Sequence, residues 1–200
     1  TITGLKIGTA QVKVTTMDGS NISKIFDVLI TGLPVSSISL PTESSITKTD
    51  NQKLEYTVFP AASDNQKLKW SSNHTDIASV DEKTGVITAH KVGDAIITAT
   101  ATDGSEISAS TTIHVTPLKV SNIEIEKEIK LLRTTSATLA ATIAPELADD
   151  KTLSWASDNE NIATVTQEGI VKGVNVGTTN ITATAMDGSG VSVTCKVTVN

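Results

Sequence analysis

The sequence predicts an all-β chain made of two-sheet sandwich domains in tandem, and three observations carry that prediction. The composition is rich in Thr, Ser, Val, Ile and Ala and holds only two Trp, one Tyr and two Phe, which suits short half-buried strands better than amphipathic helices. Apolar residues alternate with polar ones over short stretches bounded by Gly, Pro, Asn and Asp, the signature of strands with one face inward. Finally, the stretch Gly85 to Gly104 returns as Gly169 to Gly188 and, in part, as Thr1 to Gly19. Equivalent glycines (Gly8, Gly93, Gly177) recur at about 84–85 residues, too long a period for a solenoid and right for an array of small domains.

The elements follow in chain order. Residues 1–33 match only the last part of a repeat: a short strand, the Gly8 turn, a strand Ala10 to Thr16, the Asp18-Gly19 turn and a strand Ile22 to Ile30. A hairpin without a second sheet is marginal in water, so the rest of that domain is expected upstream. Two whole domains follow, 34–117 and 118–200. In each, Ile38 and Leu40 (Ile123 and Ile125) mark a first strand, and Leu54, Tyr56 and Val58 (Leu139, Ala141 and Ile143) a second that runs to Pro60 or Pro145. Leu68 and Trp70 (Leu153 and Trp155) form a third, closed by Ser71-Ser72-Asn73 or Ala156-Ser157-Asp158 as turn formers, and Ile77 to Val80 (Ile162 to Val165) comes next. On the penultimate strand Ile97, Ala99 and Ala101 (Ile181, Ala183 and Ala185) face inward, small enough to make room for the Trp. The last strand turns Ile107, Ala109, Thr111, Ile113 and Val115 inward, and Val191, Val193, Cys195, Val197 and Val199 in the second copy. About seven strands with turn signals every 8–12 residues describe a sandwich. The junctions Thr31-Gly32-Leu33-Pro34 and Thr116-Pro117-Leu118-Lys119 are short and proline-restricted, so the domains are expected end to end as a semi-rigid rod.

The totals exclude several classes. A net charge of −6 without any Lys/Arg cluster argues against a nucleic-acid surface. No apolar run approaches the roughly 18 residues that cross a bilayer, so membrane contact is expected only through other parts of the protein. One cysteine forbids an internal disulfide framework, which leaves packing to hold the domains.

The ordered run Leu68-Lys69-Trp70-Ser71-Ser72, Ile77-Ala78-Ser79-Val80, Gly85-Val86-Ile87-Thr88-Ala89, Gly93 to Thr100 and Asp103-Gly104 resembles the bacterial immunoglobulin-like domain, group 2. The second copy repeats it as Leu153-Ser154-Trp155-Ala156-Ser157, Ile162-Ala163-Thr164-Val165, Gly169, Gly177, Asp187-Gly188 and Cys195-Lys196-Val197-Thr198-Val199. The resemblance covers nearly the whole chain and implies immunoglobulin-like β-sandwiches. It also implies company, because such domains occur in tandem on bacterial surface proteins, intimin- and invasin-type adhesins, surface-layer proteins, secreted glycan-active enzymes and phage virion proteins. It brings no shared catalytic residues. One departure is Thr111, which stands where the family often has a last-strand cysteine.

Residue by residue, the sequence offers little for catalysis, which needs a nucleophile with a base or paired carboxylates in a pocket. His74, His90 and His114 do not recur in the second copy, where Asn159, Val174 and Thr198 stand instead; they read as surface histidines. Cys195 faces inward and reads as an inert core thiol. Trp70 and Trp155 share a phase with Leu68 and Leu153 and read as core rather than as ligand platforms. Tyr56 reads as inward too and Phe26 as core, which leaves little aromatic surface for stacking on a glycan. No cofactor is expected; calcium is the one metal weighed, with Asp158, Glu160, Asp149 and Asp150 offering hard oxygen ligands in a spacing unlike an EF-hand. Asp18, Asp103 and Asp187 sit in Asp-Gly turns, a dipeptide that hairpins favour for its backbone.

The expectation is therefore a non-catalytic stalk or spacer of a bacterial cell-surface or secreted protein of adhesin type, located outside the cell. Two alternatives stay open. The loops Ala61 to Lys67 and Glu146 to Thr152 could bind a host surface protein or glycan, or the domains could be accessories of a secreted glycan-active enzyme or phage virion protein.

Overall fold

A computed structural model describes all 200 residues and contains twenty strands and no helix. The chain divides into two compact units, Thr1–Val115 and Thr116–Asn200. The first opens with an antiparallel hairpin of β1 (Gly8–Thr15) and β2 (Ser23–Ile30), registered from Gly8 opposite Ile30 to Thr15 opposite Ser23. No second sheet covers this hairpin, and its apolar face stays open: Val14 and Phe26 are 57% and 46% exposed. Phe26, expected in a core, is instead at the surface with the Lys24 ammonium 5.3 Å from its ring centre.

The remainder of the first unit is a sandwich of nine strands: β3 (Ser37–Ser39), β4 (Glu43–Thr47), β5 (Asn51–Lys53), β6 (Thr57–Phe59), β7 (Leu68–Ser72), β8 (Ala78–Val80), β9 (Val86–Ala89), β10 (Gly93–Ala101) and β11 (Ser108–Thr116). One layer runs β4-β11-β10-β7; the other is assembled from β5-β9-β8 and the short pair β3-β6. The second unit repeats this order with β12 (Asn122–Glu124), β13 (Glu128–Leu131), β14 (Ser136–Thr138), β15 (Thr142–Ala144), β16 (Leu153–Ser157), β17 (Ala163–Val165), β18 (Ile170–Gly173), β19 (Gly177–Ala185) and β20 (Ser192–Val199), layered as β13-β20-β19-β16 against β14-β18-β17 with β12-β15. This is the two-layer arrangement of immunoglobulin-like domains.

Nine strands stand where about seven are read from the sequence, because the first two are each broken. After β3 the chain crosses to the other layer, and β4 lies beside β11; its counterpart β13 pairs in parallel with β20. The segment Glu43-Ser44-Ser45-Ile46-Thr47 buries only Ile46 fully, so its edge position leaves no alternation to read. The second strand is interrupted at Leu54–Tyr56, with β5 on β9 and β6 on β3. That break corrects the reading of Tyr56: its phase no longer follows Leu54, and it is 41% exposed rather than inward. The turns between β4 and β5 and between β13 and β14 hold Thr49 and Thr134 at φ 77° and 68°, a costly region for a β-branched residue.

The core is built as the alternation implies. Trp70 lies opposite Ala99 in the β7–β10 register and Trp155 opposite Ala183 in β16–β19, so each indole has a methyl-sized neighbour. Ile87, Ile97 and Ile113 are fully buried in the first sandwich, and Val171, Ile181 and Val197 in the second. Gly85, at φ +72°, lies against the Trp70 ring: a Cβ there would stand 2.6 Å from Cε2. Gly169 does the same beneath Trp155, where a Cβ would meet the Leu139 carbonyl at 2.9 Å.

Candidate functional site

Most of the titratable residues picked out in the sequence are engaged within the fold. Asp103 Oδ1 accepts from the Ser105 amide (2.9 Å) and hydroxyl (2.6 Å), and its Oδ2 accepts from the Val35 amide at 2.6 Å. Asp187 repeats this with the Ser189 amide at 2.8 Å and the Val120 amide at 2.5 Å. These carboxylates therefore tie the last hairpin of each sandwich to its own first residues, a task beyond shaping a turn. The Ser105 hydroxyl first, then the Val35 amide, lowers the Asp103 pKa; Ser189 and then the Val120 amide lower that of Asp187. Asp18 bonds Ser20 in the same way and is lowered to about 2, chiefly by the Ser20 hydroxyl.

The calcium candidates do not converge. Asp149 Oδ2 accepts from the Leu118 amide at 2.8 Å, while the Asp149 amide donates to the Leu118 carbonyl at 2.9 Å. Asp150 Oδ1 accepts from the Thr152 amide at 2.8 Å, and the Thr152 contact lowers its pKa. Asp158 accepts from Asn180 Nδ2 at 3.0 Å, and Glu160 is an exposed side chain. No three His, Cys, Asp or Glu side chains gather into a metal-holding group. In the first sandwich Asp64 does what Asp149 does in the second, accepting from the Leu33 amide at 2.5 Å and donating its own amide to the Leu33 carbonyl at 3.2 Å.

His114 lies outward on β11, with Nδ1 2.8 Å from Asp94 Oδ1 and Nε2 3.5 Å from Glu43 Oε2. The hydrogen bond to Asp94 raises its pKa above the usual value. His90 Nε2 is 2.7 Å from Ser79 Oγ, and His74 sits in the turn before β8. Cys195 is fully buried opposite Ile181, where burial pushes its thiol pKa up. Trp70 and Trp155 are 3% and 7% exposed.

What the sequence reading missed is a cleft of about 810 Å³ on the first sandwich, within the range of small-ligand sites. Its floor is the Leu68–Trp70 segment of the edge strand β7 and its wall is Tyr56, whose ring meets Trp70 edge-on at 5.4 Å and 69°. Lys67, Lys69 and Lys83 stand around it with Glu82, which holds Lys69 at 3.1 Å. Gln66 and Thr102 complete the rim. The rim is fixed locally: Thr102 Oγ1 donates to the Lys67 carbonyl (3.0 Å), the Lys67 amide to Asn65 Oδ1 (3.1 Å), and Gln66 Nε2 to the Ala61 carbonyl (2.5 Å). The Trp70 amide, which an edge strand would leave free, donates to the Glu82 carbonyl at 2.9 Å. In the second sandwich a turn shorter by one residue moves that carbonyl, and Gln167 Oε1 takes its place at 3.3 Å from the Trp155 amide. A residue-by-residue comparison of the two copies carries the signal for this cleft, since Ala141, Thr152, Ser154 and Glu168 stand where Tyr56, Lys67, Lys69 and Lys83 do.

Comparison with known proteins agrees with the architecture. The family described as bacterial Ig-like domain (group 2) matches residues 34–113 and 119–197. An uncharacterised protein of Clostridium acetobutylicum is 31% identical over 172 residues, 86% of this chain and 17% of that protein. The 3-O-alpha-D-galactosyl-alpha-L-arabinofuranosidase of Bifidobacterium longum subsp. longum is 38% identical over 106 residues, 53% of this chain and 9% of the enzyme. The Ig-like virion protein of Serratia phage KSP90 is 32% identical over 174 residues, 84% of this chain and 66% of the virion protein. The chain thus spans only part of each relative, and a small part of the first two. Among solved structures, the insect immune protein hemolin matches 92% of this chain and 54% of its own at a TM-score of 0.50 and 15% identity, a likeness of fold alone. With two successive matches that together span most of its length, and with the sandwich layers to support them, the chain belongs to the bacterial Ig-like domain (group 2) family.

Proposed function

We propose that this chain is a non-catalytic spacer segment of an adhesin-type protein that is secreted or displayed on the bacterial surface. The observation that carries the reading is the brevity of the junction. The last strand of the first sandwich ends at Thr116, and Leu118 is already clamped in both directions by Asp149 of the next sandwich, leaving Pro117 alone between them. A junction this short, with a proline whose φ is fixed, suits a segment whose task is spacing. The relatives support a non-catalytic role in an extracellular setting, because one is named as an Ig-like virion protein and another as an arabinofuranosidase of which this chain matches only 9%.

Nitrogen-15 relaxation on the full chain tests this. A shared overall correlation time for residues 34–116 and 118–200 is expected, splitting into two shorter ones when about ten Gly/Ser residues are inserted after Pro117. Independent tumbling of the unaltered chain would overturn the spacer reading. The loops Ala61 to Lys67 and Glu146 to Thr152 are less suited to carry adhesion by themselves, since Asp64 and Asp149 spend them on fastening Leu33 and Leu118.

A further inference from the structure

We infer that the cleft beside Tyr56 on the first sandwich is a binding site for an acidic saccharide, a sugar bearing carboxylate or sulfate groups. The inference goes beyond the spacer reading and does not depend on it. Three observations point the same way.

The first is charge. Lys67, Lys69 and Lys83 surround the cleft with one carboxylate, Glu82, in a chain whose net charge is −6. Three ammonium groups about one cavity in an otherwise acidic protein select an anion, and Lys acts as a point charge for carboxylate or sulfate without demanding a planar geometry. Glu82 holds Lys69 in place at 3.1 Å without cancelling the excess. The second is the aromatic wall. Tyr56 is 41% exposed and braced edge-on by Trp70, so one ring is available at little entropic cost to lie against the C–H face of a sugar while the ammonium groups meet its acidic substituents. At the rim, Gln66 Nε2 and the Thr102 hydroxyl are held by the Ala61 and Lys67 carbonyls, which leaves Gln66 Oε1 to accept from a sugar hydroxyl. The third is the comparison between copies. The second sandwich keeps the Leu153–Trp155 floor but has Ala141 for the tyrosine and Thr152, Ser154 and Glu168 for the lysines. Lys151, at the place of Gln66, is the one lysine that it gains. The fold therefore does not need the tyrosine or the lysines, which leaves them free to serve a ligand.

An acidic peptide is the competing occupant. Peptides commonly add to an exposed strand edge through backbone hydrogen bonds, and β7 is an edge strand. Its Trp70 amide is already taken by the Glu82 carbonyl, which removes the central donor of that edge and favours stacking and point charges over strand addition.

The test uses the full 200-residue chain in titration calorimetry against four probes: a heparin-derived hexasaccharide, an oligogalacturonate, a neutral arabinan oligosaccharide and polyglutamate. Saturable binding of at least one acidic saccharide is expected, weakening as salt rises. The variant K67T/K69S/K83E, which installs the residues of the second sandwich, is expected to weaken it about tenfold or more. Tyr56→Ala should weaken the saccharide and leave any polyglutamate binding unchanged, and Lys151→Thr should change neither. Should a cleft variant fail to fold, amide shift mapping on the unaltered chain decides the matter: perturbations centred on Tyr56, Lys67 and Thr102 support the site. No binding of either acidic saccharide, equal binding of the neutral one, tighter binding of polyglutamate, or shifts centred elsewhere would each overturn the inference.

Discussion

Replacing Thr111 by valine should stabilise the first sandwich, although it removes a polar group from a domain with no disulfide to hold it. Thr111 is 2% exposed and its hydroxyl has no hydrogen-bond partner. It lies opposite Ile97 on β10, at the position that Cys195 holds opposite Ile181 in the second copy. A buried hydroxyl left without a partner costs about 1–3 kcal/mol in protein substitution data. Valine has nearly the same shape, opens no cavity and favours a strand, so a gain of about 1–2 kcal/mol is expected. For a domain of 60–100 residues each kcal/mol moves Tm by about 4–8 °C, so the first-domain transition should rise by about 4–16 °C. Thr179, 6% exposed and equally unpartnered, makes the same argument for the second domain. The two are separable, because the only thiol belongs to the second domain: Thr179→Val should raise the urea midpoint for labelling of Cys195, and Thr111→Val should not. An unchanged or lowered first-domain transition in calorimetry would mean that the Thr111 hydroxyl finds a partner in solution, and the reasoning would fail.

The thiol itself should resist an aromatic disulfide reagent in the native protein and react at once in urea, because Cys195 is fully buried and its pKa is raised; rapid native labelling would show that the second core opens readily. Gly85→Ala combines a left-handed backbone with a clash against the Trp70 ring, so a loss of about 2–4 kcal/mol is expected in chemical denaturation, and a neutral result would place the indole elsewhere. Acid should weaken both sandwiches. The Asp103 and Asp187 pKa values are lowered in the fold, so their contribution is present above the unfolded carboxylate value of about 3.9 and is lost as pH falls through the lowered folded values. Asp103→Asn and Asp187→Asn should flatten the pH dependence of the urea midpoint in that range, and an unaltered slope would refute the assignment. His114 runs the other way: its raised pKa gives stability that is complete below about 6.5 and fades as pH climbs through the folded value. Proton NMR of Asp94→Asn should show the imidazole titrating lower than in the unaltered chain.

Much of the fold is legible in the sequence because the strands that build the core bury one face. Ile97, Ala99 and Ala101 alternate cleanly and are buried, and Gly85, Gly93, Asp103 and Gly104 recur because turns and ring contacts demand them. Legibility ends where a strand does not bury a face. The edge strand β4 buries a single apolar side chain, Ile46, and so shows no apolar alternation, and the break at Leu54–Tyr56 preserves the apparent period while releasing Tyr56 from the core. The candidate cleft was hidden by that same break, since a tyrosine in phase with Leu54 and Val58 reads as core. The second role of Asp103 and Asp187 was hidden for a different reason. The Asp-Gly turn accounts for the residue type without any long-range bond, and nothing local announces that the other carboxylate oxygen reaches an amide 68 or 67 positions away.

Those long-range bonds bear on how such arrays tolerate divergence. In each sandwich two carboxylates grip the entry segment, Asp64 and Asp103 on Leu33 and Val35, Asp149 and Asp187 on Leu118 and Val120. Each grip is made by side chains of the domain being entered, so a domain carries the means of fixing its own first residues whatever precedes it. The faces that the grip and the core do not use are then free to differ. The cleft shows the result: the floor of Leu68 and Trp70 is kept as Leu153 and Trp155 because the core needs it, while the wall and rim change from tyrosine and lysines to alanine, threonine, serine and glutamate. A tandem array built this way can hold a ligand site on one domain and leave its neighbour bare without any cost to folding, which is why neighbouring copies of one domain are better compared at their rims than at their cores when a site is sought.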